Sequence, residues 1–167
     1  QGLFYTYAIT RGEETVETVD LYAKAVGLNG DRGAIIDLAT TDPSGWHLDC
    51  PPKELTGKLT DAFIWEVHVA DFSSAKNAGI QASHQEKYLA FTEGASHLPD
   101  QPDIPTGLAH LKSLGVNYIH LLPAYDFANN ELATAYNWGY DPKNYNVPEG
   151  RYATDPADPT SRIREFK

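Results

Sequence analysis

The sequence predicts a chain of two parts: the closing hairpins of an antiparallel β-sandwich, then a strand, helix, strand unit whose two strands run parallel. Three observations carry that reading. The N-terminal segments are short, alternate in polarity and are cut by Gly and Asn turns. Residues 40–52 then hold three prolines and a glycine, the composition of a linker between domains. Beyond Lys58 the pattern changes to nearly continuous apolar runs separated by a helical repeat.

Residues 3–9 alternate and are rich in aromatic and β-branched types, as in a half-buried strand. Arg11-Gly12-Glu13-Glu14 is the expected hairpin turn, and residues 15–19 alternate again. Residues 22–26 and 34–38 read as further short strands on either side of the Gly27-Leu28-Asn29-Gly30 turn. Residues 62–69 are almost wholly apolar, which predicts a parallel strand covered on both faces. In residues 106–114, Leu108, Leu111 and Leu114 recur at helical spacing, with Thr106 as the expected N-cap and Gly115 as the stop. Residues 116–122 form the second strand, ended by Pro123, and residues 161–167 begin another helix. Two excursions, 71–105 and 123–159, exceed the roughly 12–15 residues usual for a loop. In a β/α barrel such loops at the C-terminal ends of strands build the site.

Composition narrows the function classes. With 13 Lys and Arg against 23 Asp and Glu, the net charge of −10 argues against nucleic acid or an anionic membrane surface as partner. A neutral ligand such as a polysaccharide fits better. No apolar run approaches the roughly 18 residues of a membrane span. The chain opens at Gln1 without Met, so residue 1 is not expected to be the natural start of translation, and no signal peptide is read there. Cys50 is the lone cysteine, expected to be buried or half-buried and without the neighbours of a zinc site.

The most informative stretch is Tyr136-Asn137-Trp138-Gly139-Tyr140-Asp141-Pro142, continued by Lys143-Asn144-Tyr145-Asn146-Val147-Pro148-Glu149-Gly150. Trp and Tyr offer flat apolar faces suited to the C–H face of a pyranose, and Asn and Asp offer in-plane hydrogen bonds to its hydroxyls. Buried aromatics beside Gly and Pro turns would read the same way. Among ionisable groups, Glu66, His68 and Asp71 cluster at the end of the first strand; inward side chains there form structural hydrogen bonds in a barrel, the reading for Glu66 and His68, while Asp71 either caps a turn or touches substrate. Glu93 and Glu149 read as ordinary loop carboxylates, and His47, His84, His97 and His110 lack metal-ligand spacing.

These motifs, in this order, resemble the type I pullulanases, starch-debranching members of the α-amylase superfamily of glycoside hydrolases. Gly2-Leu3-Phe4-Tyr5-Thr6-Tyr7 and Tyr22-Ala23-Lys24-Ala25-Val26-Gly27-Leu28-Asn29-Gly30 resemble the end of the family's starch-binding-type β-sandwich. Ile64-Trp65-Glu66-Val67-His68-Val69-Ala70-Asp71-Phe72 resembles the first strand of its catalytic barrel, and Tyr88-Leu89-Ala90-Phe91-Thr92-Glu93 the excursion after it. Tyr118-Ile119-His120-Leu121-Leu122-Pro123 resembles the second strand. The resemblance implies the end of a sandwich module over residues 1–43, a linker over 44–60, and over 61–167 the first two strands and first helix of a (β/α)8 TIM barrel with long loops.

It also implies that the parent protein hydrolyses α-1,6-glucosidic branch linkages of pullulan, starch or glycogen dextrins with retention. Tyr140 would stack on the glucose beside the cleaved bond and Asp141 would share its pocket, with Trp138 and Asn137 shaping the loop or touching sugar. A retaining glycosidase needs two carboxyl groups about 5–5.5 Å apart. The family takes these from strands four and five and a stabilising Asp from strand seven, so no catalytic residue is expected within residues 1–167. The chain by itself is expected to be inactive and unable to close a barrel, its partners being α-glucan and the remainder of the parent polypeptide. No cofactor is implied for the chemistry, and structural calcium in the parent, like any metal ligand here, is left open. A secreted or cell-surface bacterial enzyme is favoured over a cytoplasmic one. The alternatives are an α-glucan-binding module without catalysis and a glycosyl-transferring branching enzyme of the same superfamily.

Overall fold

The structure, a computed structural model, describes residues 2–50 and 57–167. In chain order its elements are β1 (Leu3–Tyr5), β2 (Tyr7–Arg11), β3 (Glu14–Thr18), β4 (Gly33–Ile35), β5 (Ile64–Val67), β6 (His97–Leu98), β7 (Gln101–Pro105), α1 (Gly107–Ser113), β8 (Tyr118–Leu121), β9 (Tyr125–Phe127), β10 (Pro142–Pro148) and α2 (Pro159–Phe166). Among the described residues the strands associate as two-stranded sheets. Two compact units result, one of Gln1–Pro43 with Pro123–Lys167 and the other of Ser44–Leu122.

In the first unit, β2 and β3 form the expected hairpin, with Ile9 opposite Val16 and the turn at Gly12-Glu13. The single strand expected over residues 3–9 is instead two, because the chain changes partner at Thr6. Ahead of that point β1 pairs antiparallel with β4, and after it β2 pairs with β3. The hairpin is exposed on both faces, Tyr7, Ile9 and Val16 included, so the half-buried alternation expected there does not appear among the described residues. Residues 22–26 form no strand beyond a single bridge from Val26 to Gly33. The Asp20 carboxylate accepts from Tyr22 N at 2.9 Å and the Asp20 carbonyl from Ala23 N at 3.0 Å, turning the backbone away from pairing. Asp37 likewise accepts from Ala39 N and starts a 3₁₀ turn at Leu38–Thr41, which cuts short the strand expected over 34–38.

Ala23, Val26 and Val147 form a small buried cluster against Val19. β9 and β10 are antiparallel with irregular register, and Phe127 at the end of β9 meets Tyr152 edge-on at 6.0 Å. Asp158 caps α2 by accepting from Thr160 N, and Pro159 occupies its first turn, so the helix starts two residues before the expected 161. α2 docks on the Leu38–Thr41 turn through Arg164 to the Thr40 carbonyl and Lys167 to Thr41 Oγ1.

The second unit contains the expected parallel pair. β5 and β8 lie side by side with Ile64 opposite Tyr118 and Val67 opposite Leu121, and α1 lies between them in sequence. Thr106 occupies the N-cap position of α1 as expected, but its hydroxyl donates to the Ala78 carbonyl at 2.5 Å and makes no cap bond. The demand of the adjoining loop for a donor outcompetes the helix end. Gly115, at φ +78°, ends the helix as expected. Val69, Ala70, Ile80, Tyr88, Ala90 and Leu111 are buried, and full burial of a Val or Leu side chain contributes about 1.5–3 kcal/mol.

The excursion after β5 is held by Phe72 stacked on Phe91 at 4.0 Å and by His84 Nδ1 at 2.7 Å from Glu93 Oε1. Two expectations fail in this unit. Ile64 is 58% and Trp65 38% exposed, so β5 is not covered on both faces: among the described residues it forms a sheet of two strands with β8, too narrow to curve round and enclose its own side chains. Cys50 is exposed, as are residues 44–49 before it, so among the described residues of this stretch no apolar cover forms over the thiol. Of the expected linker 44–60, residues 51–56 lie outside the described ones.

Candidate functional site

Between β9 and β10, residues 128–141 form a loop closed at its base by Ala128 N donating to the Asp141 carbonyl at 3.0 Å. Asn137 organises its tip. Its Nδ2 donates to Asp141 Oδ2 at 3.2 Å and to the Ala128 carbonyl at 3.3 Å, while its Oδ1 accepts from Gly139 N at 2.8 Å. Gly139 adopts φ +83°, and a Cβ there would lie 2.9 Å from the Pro123 carbonyl oxygen and 3.0 Å from the Phe127 ring. Any other residue is therefore strained twice over. This tight turn leaves the flanking Trp138 and Tyr140 each 63% exposed, and the Asp141 carboxylate that follows them is held by Asn137. Two aromatic faces beside a fixed acceptor can receive a sugar ring.

Beneath the loop lies a buried ionic network that the sequence reading did not contain. Asp126, Glu149 and Arg162 are 0% exposed, and Glu131 and Arg151 are buried with them. The Arg162 guanidinium pairs with Glu131, Nη2 donating to Oε2 at 2.9 Å while Nη1 lies 2.9 Å from Oε1. Its Nη1 also lies 3.5 Å from Asp126 Oδ1, and Nη2 donates to the Pro156 carbonyl. Glu131 Oε2 accepts from Asn29 N at 2.7 Å, and Asn144 Nδ2 donates both to Asp126 Oδ2 at 2.7 Å and to the Gly30 carbonyl at 3.0 Å. The network thus ties the early turn at residues 27–30 to β9, β10 and α2. Gly150 sits so close that a Cβ would fall 2.3 Å from both Arg162 Nη2 and Glu131 Oε1.

Glu149, read from sequence as an ordinary loop carboxylate, is instead a buried anchor. It accepts from Asn129 Nδ2 at 3.0 Å, Phe127 N at 3.1 Å and Arg151 N at 2.8 Å. Glu93 has partners as well, His84 and Gln81 N. Burial pushes the Asp126 carboxyl up to about 7, the Asn144 hydrogen bond and Arg162 pulling against burial while Glu149 and Glu131 add to it. Burial also raises Glu149, and its three hydrogen bonds oppose the rise.

The oxygens of Asp126, Glu131 and Glu149 approach within 4.8 Å of one another, a spacing that could hold a metal ion. Here the Arg162 guanidinium lies against two of the three and supplies the positive charge. In the other unit, His68 is buried with Nδ1 accepting from Asp71 N at 3.3 Å, while Glu66 and His120 form an exposed pair at 3.6 Å. A cleft of about 600 Å³ is lined by Thr6, Glu17, Asp31, Arg32 and Lys143. It has mixed charge and no aromatic floor, so it suits a sugar less well than the exposed rings of the loop.

Asp126, Glu131, Arg151 and Arg162 were missed because nothing in their spacing marks them; Arg162 and Glu131 are 31 positions apart. Their only signal was a string of charged residues in a stretch too long for a plain loop.

No family model matches the chain. It is 40% identical over 169 residues to the pullulanase of Bacillus subtilis strain 168, covering 99% of this chain and 22% of that protein. Among solved structures, the pullulanase of Paenibacillus barengoltzii in complex with maltohexaose and α-cyclodextrin matches at TM-score 0.90 and 48% identity, over 98% of this chain and 25% of that one. The pullulanase of Anoxybacillus sp. LM18-11 complexed with maltotetraose matches at TM-score 0.87 and 40% identity, over 98% and 23%. The chain therefore spans about a quarter or less of the length of these relatives.

Proposed function

Homologous to pullulanases over nearly its whole length, this chain is, we propose, a segment of a pullulanase-type glycoside hydrolase that cleaves α-1,6-glucosidic branch linkages with retention. The observation that carries the reading is the loop at residues 128–141, where Trp138 and Tyr140 are exposed beside an Asp141 carboxylate fixed by Asn137. In this role Tyr140 stacks on glucose next to the scissile bond, Asp141 accepts from its hydroxyls, and Asn137 and Trp138 hold or extend the contact. The complexes of two relatives with maltohexaose and maltotetraose support an α-glucan as the ligand.

Residues 1–43 belong on this reading to the end of a β-sandwich module, 44–60 to a linker and 61–167 to the start of a (β/α)8 barrel whose parallel strands begin with β5 and β8. The carboxyl pair that retention requires, about 5–5.5 Å apart, comes from barrel strands beyond this segment. The segment grips and the remainder cuts.

The test is the full-length polypeptide on pullulan, with products resolved by chromatography. Maltotriose with matching reducing ends supports the reading. Branched product from amylose without new reducing ends would make it a transferase, and glucan binding without product would make it a binding module.

A further inference from the structure

Resting on that reading, we propose that Arg151 is a positioning residue for the sugar contact, setting where the aromatic arm of the loop stands. Arg151 lies in the 3₁₀ turn Gly150–Tyr152, on the far side of β10 in sequence from the rings it would control. Its side chain is buried, 7% exposed, and its guanidinium reaches into the loop: Nη1 donates to the Ala135 carbonyl and Nη2 to the Thr134 carbonyl, the latter at 3.3 Å. Those two carbonyls immediately precede Tyr136, Asn137 and Trp138. A planar fork on consecutive carbonyls fixes the direction of the backbone as well as its distance.

The other end of the brace is rigid too. The Arg151 backbone N–H is held by Glu149 Oε1 at 2.8 Å, and the same carboxylate accepts from Phe127 N and Asn129 Nδ2 at the start of the loop. Tyr152 next to it meets Phe127. Glu149 and Arg151 therefore connect the two limbs of one loop: the carboxylate holds the limb leaving β9, and the guanidinium holds the limb entering the aromatic tip. Asn137 fixes the tip internally, and Arg151 ties residues 134 and 135 of the arm to buried structure. An arm free to drift would cost ligand affinity without touching the reacting carboxylates.

The experiment uses the full-length polypeptide with Arg151→Ala and Arg151→Lys, measuring KM and kcat on pullulan, affinity for maltotetraose and thermal midpoint. For Arg151→Ala, KM rises about tenfold with kcat within about twofold, and affinity for maltotetraose falls in step. Millimolar guanidinium restores part of the loss, and Arg151→Lys, which offers a point charge in place of a fork, falls between the alanine variant and wild type. An unchanged KM in Arg151→Ala overturns the proposal. So does a joint fall of kcat, thermal midpoint and affinity that neither guanidinium nor lysine relieves. Should Arg151→Ala fail to fold, Arg151→Lys alone decides it, a wild-type KM counting against. Wild-type protein that binds no maltotetraose would overturn the functional reading itself, a result distinct from variants that bind as wild type does.

Discussion

The two long excursions of this chain are braced by opposite physics. The one after β5 is held by a stacked Phe72–Phe91 pair, the half-buried His84–Glu93 pair and short loop hydrogen bonds. The one after β8 is held by Arg162, Glu131, Asp126, Glu149 and Arg151, all withdrawn from water. An aromatic brace degrades gradually when it is trimmed, because each lost contact is small. A buried ionic brace fails abruptly, because removing one partner strands the charge of another. The excursion that carries the exposed rings is the one with the abrupt brace, which suits a loop that must present its tip in one geometry.

Arg162 is the cation on which the ionic brace depends. Arg162→Ala leaves Glu131 and Asp126 buried without their cation and should cost about 3–5 kcal/mol, read as a lowered denaturation midpoint of the full-length polypeptide. A loss within experimental error would mean that water enters and the brace is not dry.

Asp126 tests the same point by pH. Its carboxyl rises from an ordinary 3.8 to about 7 in the folded state, so between these values the folded chain holds a proton that the unfolded chain has lost. Stability attributable to this group is therefore full below about pH 4, falls as pH rises toward 7 by at most about 1.4 kcal/mol per unit, and levels off above. Asp126→Asn should flatten that slope in thermal melts taken from pH 4 to 8, and an unaltered slope would assign the dependence to other groups.

Phe91→Ala probes the aromatic brace, with an expected cost of about 2 kcal/mol for a half-buried ring and its stacked partner. Glu93→Gln should be smallest, within about 0.2–1 kcal/mol, since the pair with His84 is partly solvated. If either equalled Arg162→Ala, the contrast between the two excursions would disappear.

What the sequence made legible follows the same division. Periodicity placed β5, α1 and β8, because parallel strands and an amphipathic helix declare themselves through local apolar pattern. The β2–β3 turn was legible through Gly12. The split of the first strand at Thr6 was not, since a change of pairing partner leaves no trace in alternation. The loop residues Asn137, Trp138, Tyr140 and Asp141 stood out because aromatics beside amides are conspicuous. Glu149 and Arg151 did not: a buried charge and a solvated one have the same letter, and only distant partners such as Asn129 and the Thr134 carbonyl separate them.

On the proposed function, this loop, on its buried brace, is where α-glucan is gripped. Calorimetric titration of maltotetraose into the full-length polypeptide carrying Tyr140→Ala tests it most directly. Affinity should weaken by about tenfold, or ~1.4 kcal/mol, with Tyr140→Phe close to wild type and neither variant altered in thermal midpoint. Wild-type affinity in Tyr140→Ala would contradict it.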